Sequence, residues 1–303
     1  MNIDTIILEF AAAEDPLPSW QSMLWARENW NELGPRLQEI LTRAVAGEDQ
    51  MEGVQSVLFV GIHLLAEHGE TKAFVPFCQL LYRFDFSGPH VDDEIDFSSI
   101  FISLFDGNKE WLQMLIEASH VKHHHRRGAI EAWAYLTSIG KIAIDETKVY
   151  LEKLFRELQP QDEGNYVWLG FIHAVAMLKL MELRPMVADL IVRKLDTGIY
   201  TTLSHFDDLL ILDTDGTAAI DRKGFGPLKD CIDQLTEYSY DAEEKRSFVK
   251  CVENKARRIF AILKAPKDTI QPSDFEAPCP CGSGKPFGKC CLNLSLGPRP
   301  CQL

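Results

Sequence analysis

VQSVLFVGIHLLAEHGETKAFVPFCQLLY, residues 54–82, decides the fold class. An apolar stretch, too long for a strand, breaks at Gly69 and resumes as an amphipathic run. Strand alternation is absent, so the layout reads as two helices joined by a short turn. It recurs in IDFSSIFISLFDGNKEWLQMLIEAS (95–119) and RGAIEAWAYLTSIGKIAIDETKVYLEKLF (127–155), with breaks at Gly107 and Gly140. A fourth pair follows: YVWLGFIHAVAMLKLMEL, then RPMVADLIVRKL, where Pro185 stands at a helix start. One helical pair cannot bury its apolar face alone, whereas stacked pairs share a continuous core. The expected fold is therefore all-α, an α-solenoid of HEAT-like hairpins, with an irregular helical bundle as the alternative.

Helical signals run from residue 20 to about 264. In DETKVYLEKLFREL, Val149, Leu151, Leu154, Phe155 and Leu158 fall near one stripe, and Asp145 reads as the N-cap. Residues 198–226 are less regular and read as one short helix and a loop. Two more helices are expected at about 227–239 and 243–264. The tryptophans Trp111, Trp133 and Trp168 and the cysteines Cys78, Cys231 and Cys251 lie in apolar helical patterns and read as core. Trp20, Trp25 and Trp30 recur every five residues, a spacing that does not line one helix face.

Of the 303 residues, 46% are hydrophobic and 25% charged, enough to bury a sizeable core. The net charge of −14 argues against binding nucleic acid through bulk electrostatics, because phosphate recognition needs a concentrated positive face. The N-terminal stretch has no basic region before its apolar run, and Asp4 and Glu9 interrupt it, so it does not read as a signal peptide. VWLGFIHAVAMLKLM (167–181) carries His173 and Lys179 and is too short to span a membrane. A cytoplasmic location is expected. Thiols stay reduced there, so clustered cysteines point to metal rather than disulfides.

APKDTIQPSDFEAP (265–278) holds Pro266, Pro272 and Pro278 and reads as a semi-extended linker after a helical domain at 1–264. Then comes CPCGSGKPFGKCC (279–291), and a short tail occupies 294–303. Cys279, Cys281, Cys290 and Cys291 lie too close together to form a core of their own. One Zn²⁺ per chain would supply the missing folding free energy. Gly282, Gly284 and Gly288 let the chain wrap around an ion, and Lys285 and Lys289 offset the excess negative charge of four thiolates. Four cysteines fill a tetrahedral shell, so the site reads as structural rather than catalytic. The adjacent Cys290–Cys291 pair does not match common iron–sulfur spacings. Cys301 reads as an incidental thiol.

This stretch resembles the SEC-C motif, the zinc-binding tail named for the C-terminus of the bacterial preprotein translocase motor ATPase. Every cysteine position matches over 279–293. Pro286 and Gly288 stand where lysines are frequent, which lowers the positive charge and leaves the ligands intact. The resemblance implies a protein partner, such as a SecB-like export chaperone or the ribosome. LPSWQSMLWARENWNELGPRLQEILTRAV (17–45), FDGNKEWLQMLIE and the segments around residues 127–142 and 166–198 resemble an uncharacterised bacterial family of helical-repeat proteins that often end in this tail. That resemblance implies fold and architecture but no reaction.

Two further clusters stand out. HVKHHHRRG (120–128) is the one strongly basic spot in an acidic body. It reads first as a solvated turn between repeats. The functional alternative is an anion or partner contact through His123, His124, His125, Arg126 and Arg127 at the start of the following helix. Metal binding is disfavoured, because consecutive side chains on a helix do not converge on one ion. LDTDGTAAID (212–221) lacks the closing Glu of a calcium loop and reads as a solvated acidic loop. No nucleotide-binding or hydrolase motif is present.

The leading expectation is a non-enzymatic adaptor: a helical scaffold with a zinc tail that docks a partner. The alternatives are an enzyme, with a site on the concave repeat face or around His205, Asp207, Asp208, Asp213 and Asp215, and a tail that only caps the solenoid.

Overall fold

The computed structural model describes residues 2–13, 18–48, 53–84, 86, 97–159, 165–195, 202–204, 206–207 and 225–238. The chain divides into two compact units, Met1–Leu235 and Thr236–Leu303. The first carries nearly all the described residues.

Twelve α-helices and no strand occur among the described residues: α1 (Ile3–Ala11), α2 (Trp20–Glu28), α3 (Trp30–Ala46), α4 (Val54–Glu67), α5 (Phe74–Arg83), α6 (Ser98–Leu104), α7 (Lys109–Glu117), α8 (His123–Ser138), α9 (Ile144–Glu157), α10 (Tyr166–Met177), α11 (Arg184–Val192) and α12 (Cys231–Glu237). Helix pairs stand where the sequence puts them. None of these helices is long and apolar enough to cross a membrane.

The helices fall into two classes. Helices α4, α8 and α10 are buried almost all round, the mark of a helix packed on several sides. Helices α3, α5, α7 and α9 bury one stripe each. Together with α1 and α6 the buried class forms a row of neighbours: α1 packs on α4, α4 on α6, α6 on α8 and α8 on α10. In the second class α3 packs on α5 and α5 on α7.

The turns repeat in detail. After α4, Gly69 N–H donates to Ala66 O (3.0 Å) and Glu70 N–H to Leu65 O (3.0 Å), and a 3₁₀ turn follows at Thr71–Ala73. After α10, Lys179 N–H donates to Ala176 O (3.1 Å) and Leu180 N–H to Val175 O (3.1 Å), with a 3₁₀ turn at Met181–Leu183. This is the Schellman closure, which needs a left-handed residue. Gly69 supplies it at φ 64°, and Lys179 adopts φ 52° at the price of side-chain strain. Gly140, at φ 77°, closes α8 the same way.

Glycine also sets the helix spacing. A Cβ on Gly170 of α10 would lie 3.1 Å from both Cα and O of Arg127 in α8. A Cβ on Gly128 would lie 3.1 Å from Ser98 N in α6. Backbone atoms cannot move aside as a flexible side chain can. Gly170→Ala is therefore expected to cost about 1–3 kcal/mol, read from urea unfolding. A loss below about 0.5 kcal/mol, the scale of a neutral surface change, would show that the helices separate freely.

The structure corrects five expectations. The N-terminal stretch Ile3–Ala11 is a helix, although its Ile-rich run favours strand locally. Tertiary burial of Ile6, Ile7 and Phe10 overrides that preference, and Asn2 Oδ1 caps the helix by accepting from Thr5 N–H (2.9 Å). In α9 the cap is Ala143, and Asp145 sits inside the first turn. The buried stripe there is Thr147, Tyr150, Leu151, Leu154 and Leu158, while Val149 points outward at 68% exposure. Helix α12 starts at Cys231 rather than near 227. Trp133, Trp168, Cys78 and Cys231 are buried as expected, but Trp111 is only half-buried, edge-on to Tyr82. The second expected C-terminal helix and Cys251 lie outside the described residues.

Candidate functional site

The basic stretch 120–128 opens helix α8 rather than forming a solvated turn. His124, His125 and Arg126 are buried, at 4%, 1% and 1% exposure, and His123 and Arg127 are half-buried. The reason is Arg126. Its Nε donates to Ile116 O (2.8 Å) and its Nη2 to Gln159 O (2.5 Å), so the guanidinium binds carbonyls at the ends of two neighbouring helices. Burial lowers its pKa to about 10, only slightly offset by Tyr150, and it stays charged at neutral pH. His125 packs on Phe97, and burial, then the charges of His124, Lys122 and His123, hold its pKa well below the ordinary value. Two of the five predicted contact residues, His123 and Arg127, therefore retain access to solvent. His123 stacks on Tyr166 with ring centroids 5.2 Å apart.

A second cluster went unmarked in the sequence. Glu131 of α8 is fully buried. Its Oε1 accepts from Arg127 Nε at 3.0 Å and from His173 Nδ1 of α10 at 2.6 Å. An ionised carboxylate only accepts, so His173 carries its proton on Nδ1. Burial works to raise the Glu131 pKa, but the hydrogen bond and charge of His173, then those of Arg127, outweigh it and hold the group below the usual carboxylate range. Oε2 is buried with no hydrogen-bond partner among the described residues. Both Glu131 and His173 sit three residues after the close-approach glycines Gly128 and Gly170. The tight helix crossing brings them together.

A third cluster joins distant parts of the chain. Arg27 Nη2 of α2 lies 2.8 Å from Glu67 Oε1 at the end of α4 and 2.6 Å from Asp230 Oδ1. Cys231 N–H donates to Glu67 Oε2 (3.2 Å). Asp230 Oδ1 also caps α12, accepting from Ile232 N–H (2.9 Å) and Asp233 N–H (3.1 Å). Burial alone would lower the Arg27 pKa, yet the Asp230 hydrogen bond and the charges of Glu67 and Asp230 raise it.

Asp207, from the acidic segment, is held by Arg184 through two bonds of 2.8 and 2.5 Å. His205, Asp208, Asp213 and Asp215 lie outside the described residues, as do Cys279, Cys281, Cys290, Cys291 and the supporting Gly282, Gly284, Lys285, Gly288 and Lys289. Among the described residues no group of three or more His, Cys, Asp or Glu is placed to hold a metal ion.

No curated protein and no solved structure matches the chain. A family model for the SEC-C motif matches residues 277–293, which include all four clustered cysteines. A second family model, described as protein of unknown function (DUF1186), matches residues 1–240. The chain therefore belongs to the DUF1186 family and carries a SEC-C motif at residues 277–293.

Proposed function

We propose that this chain is a non-enzymatic, zinc-binding interaction protein of the cytoplasm. Its body, residues 1–264, acts as a HEAT-like solenoid scaffold. The linker 265–278 carries a zinc module at 279–293 that docks a protein partner, a SecB-like chaperone or the ribosome being the partners the motif suggests. The SEC-C match over residues 277–293 carries this reading. The order of helix neighbours, α1–α4–α6–α8–α10 beside α3–α5–α7, supports the solenoid.

The donor set fits zinc. Four soft thiolates in a closed shell suit Zn²⁺ and leave no open position for substrate. Cys279, Cys281, Cys290 and Cys291 would hold the ion, which supplies folding free energy rather than reactivity. Lys285 and Lys289 would offset its charge. His123 and Arg127 provide a second, smaller contact for an anionic group on a partner.

Purified protein is expected to carry about one zinc per chain by elemental analysis, falling to none in Cys290→Ser plus Cys291→Ser. Affinity capture with the two chains should differ in the partner that dissociates when zinc is chelated. Identical partner sets would defeat the adaptor reading. A drop in the melting temperature of the whole body on chelation would mark the tail as a cap on the scaffold instead.

A further inference from the structure

Residues 225–230 form a strap that passes α10, α8 and α6 in turn and ends against α2. Phe225 meets the His173 ring of α10 edge-on, with centroids 6.0 Å apart. A Cβ added at Gly226 would meet the Tyr135 ring of α8 at 3.8 Å, an ordinary contact distance, so this part of the strap lies beside that ring. Leu228 N–H donates to Ser103 Oγ in α6 (2.7 Å). Asp230 pairs with Arg27 of α2 at 2.6 Å, beside Glu67 of α4. Helices α10, α8, α6 and α2 thus each offer a side chain to a chain segment laid across them.

The strap and the helix after it are held differently. Phe225, Leu228 and Asp230 are only half-buried, and Pro227 and Lys229 are exposed. Cys231, Ile232 and Leu235 of α12 are buried at 1% exposure or less. The strap is thus held mainly by polar and edge contacts, and α12 by core volume.

We propose that this row of helices is a binding face for an extended peptide, occupied in cis by the chain's own residues 225–230. The partner segment it fits carries an aromatic residue for the His173 and Tyr135 ledge and a carboxylate five positions later for Arg27. The cis strap lowers the apparent affinity for such a partner by the fraction of time it is seated. The inference rests on the interaction-protein reading and names the chemistry of a partner for the body rather than for the tail.

The test uses a fluorescein-labelled peptide of residues 224–234 carrying Cys231→Ser, titrated against the full chain. Phe225→Ala with Asp230→Asn releases the strap, asparagine keeping the helix cap. The released chain should bind the peptide at least about tenfold more tightly than wild type. Adding Arg27→Ala to it should remove the gain. A released chain that still melts cooperatively and binds no better than wild type overturns the proposal. Should that variant fail to fold, hydrogen exchange on wild type decides. The Leu228 amide should exchange at least about 100-fold faster than the Trp133 amide of α8. Equal rates would make the strap part of the core and overturn the idea. Cys290→Ser plus Cys291→Ser should leave peptide binding unchanged, so failure of the tail as adaptor and failure of this face are read separately.

Discussion

Truncating Glu131 to alanine should destabilise the helical body by about 3–5 kcal/mol. The carboxylate is fully buried and is the shared acceptor of Arg127 and His173. Its removal leaves those donors at the α8–α10 crossing without the group that compensates their desolvation. For a unit of this size the melting temperature should fall by about 10 °C. A chain with Glu131→Leu, Arg127→Met and His173→Leu should recover much of that loss, because apolar residues of similar volume need no partner. Thermal and urea unfolding of the two variants against wild type provide the measurement. A loss below about 1 kcal/mol for Glu131→Ala would mean that water or another part of the chain replaces the carboxylate.

Acid should weaken the protein well above the range in which ordinary carboxylates titrate. His63 is fully buried in α4, its Nδ1–H donating to Phe59 O (2.7 Å). Burial depresses its pKa to about 4, only partly offset by that hydrogen bond. Unfolded, it titrates near 6.5. Between these values the unfolded chain binds a proton that the folded chain refuses, so the contribution is complete above pH 6.5 and is lost as pH falls toward 4. It amounts to about 3 kcal/mol. His125, buried against Phe97, is shifted in the same direction and adds to the slope. Glu131, depressed in the fold, withdraws its own contribution at still lower pH. Urea unfolding at pH 7.5 and pH 4.5 should therefore give a stability difference that shrinks by about 2–3 kcal/mol in His63→Gln. An unchanged difference in that variant would show that His63 is already protonated in the fold.

The buried histidines His124 and His125 show why part of the site was hidden in the sequence. HVKHHHRRG looks solvated, because clustered basic residues usually face water. It is buried because Arg126 finds two carbonyls, Ile116 O and Gln159 O, on segments 10 and 33 residues away. Glu131 and His173 each looked like a lone polar residue in an apolar helix. Their pairing across 42 residues follows from the Gly128 and Gly170 crossings, whose meaning appears only when the helices pack. Likewise Arg27 and Asp230, 203 residues apart, carry no local sign of their bond.

The sequence alone determined what short range can encode. The apolar runs set the helices, and Gly69, Gly107 and Gly140 set their breaks, because left-handed backbone is a local property that glycine adopts without strain. The cysteine spacing at 279–291 named the SEC-C motif for the same reason, since all four cysteines are drawn from one short stretch. Tertiary structure decided the rest: which buried charges meet, which histidines lose water, and where the strap at 225–230 lies. Those outcomes depend on which helix becomes whose neighbour. A 3.6-residue period marks a face for burial but does not specify what covers it.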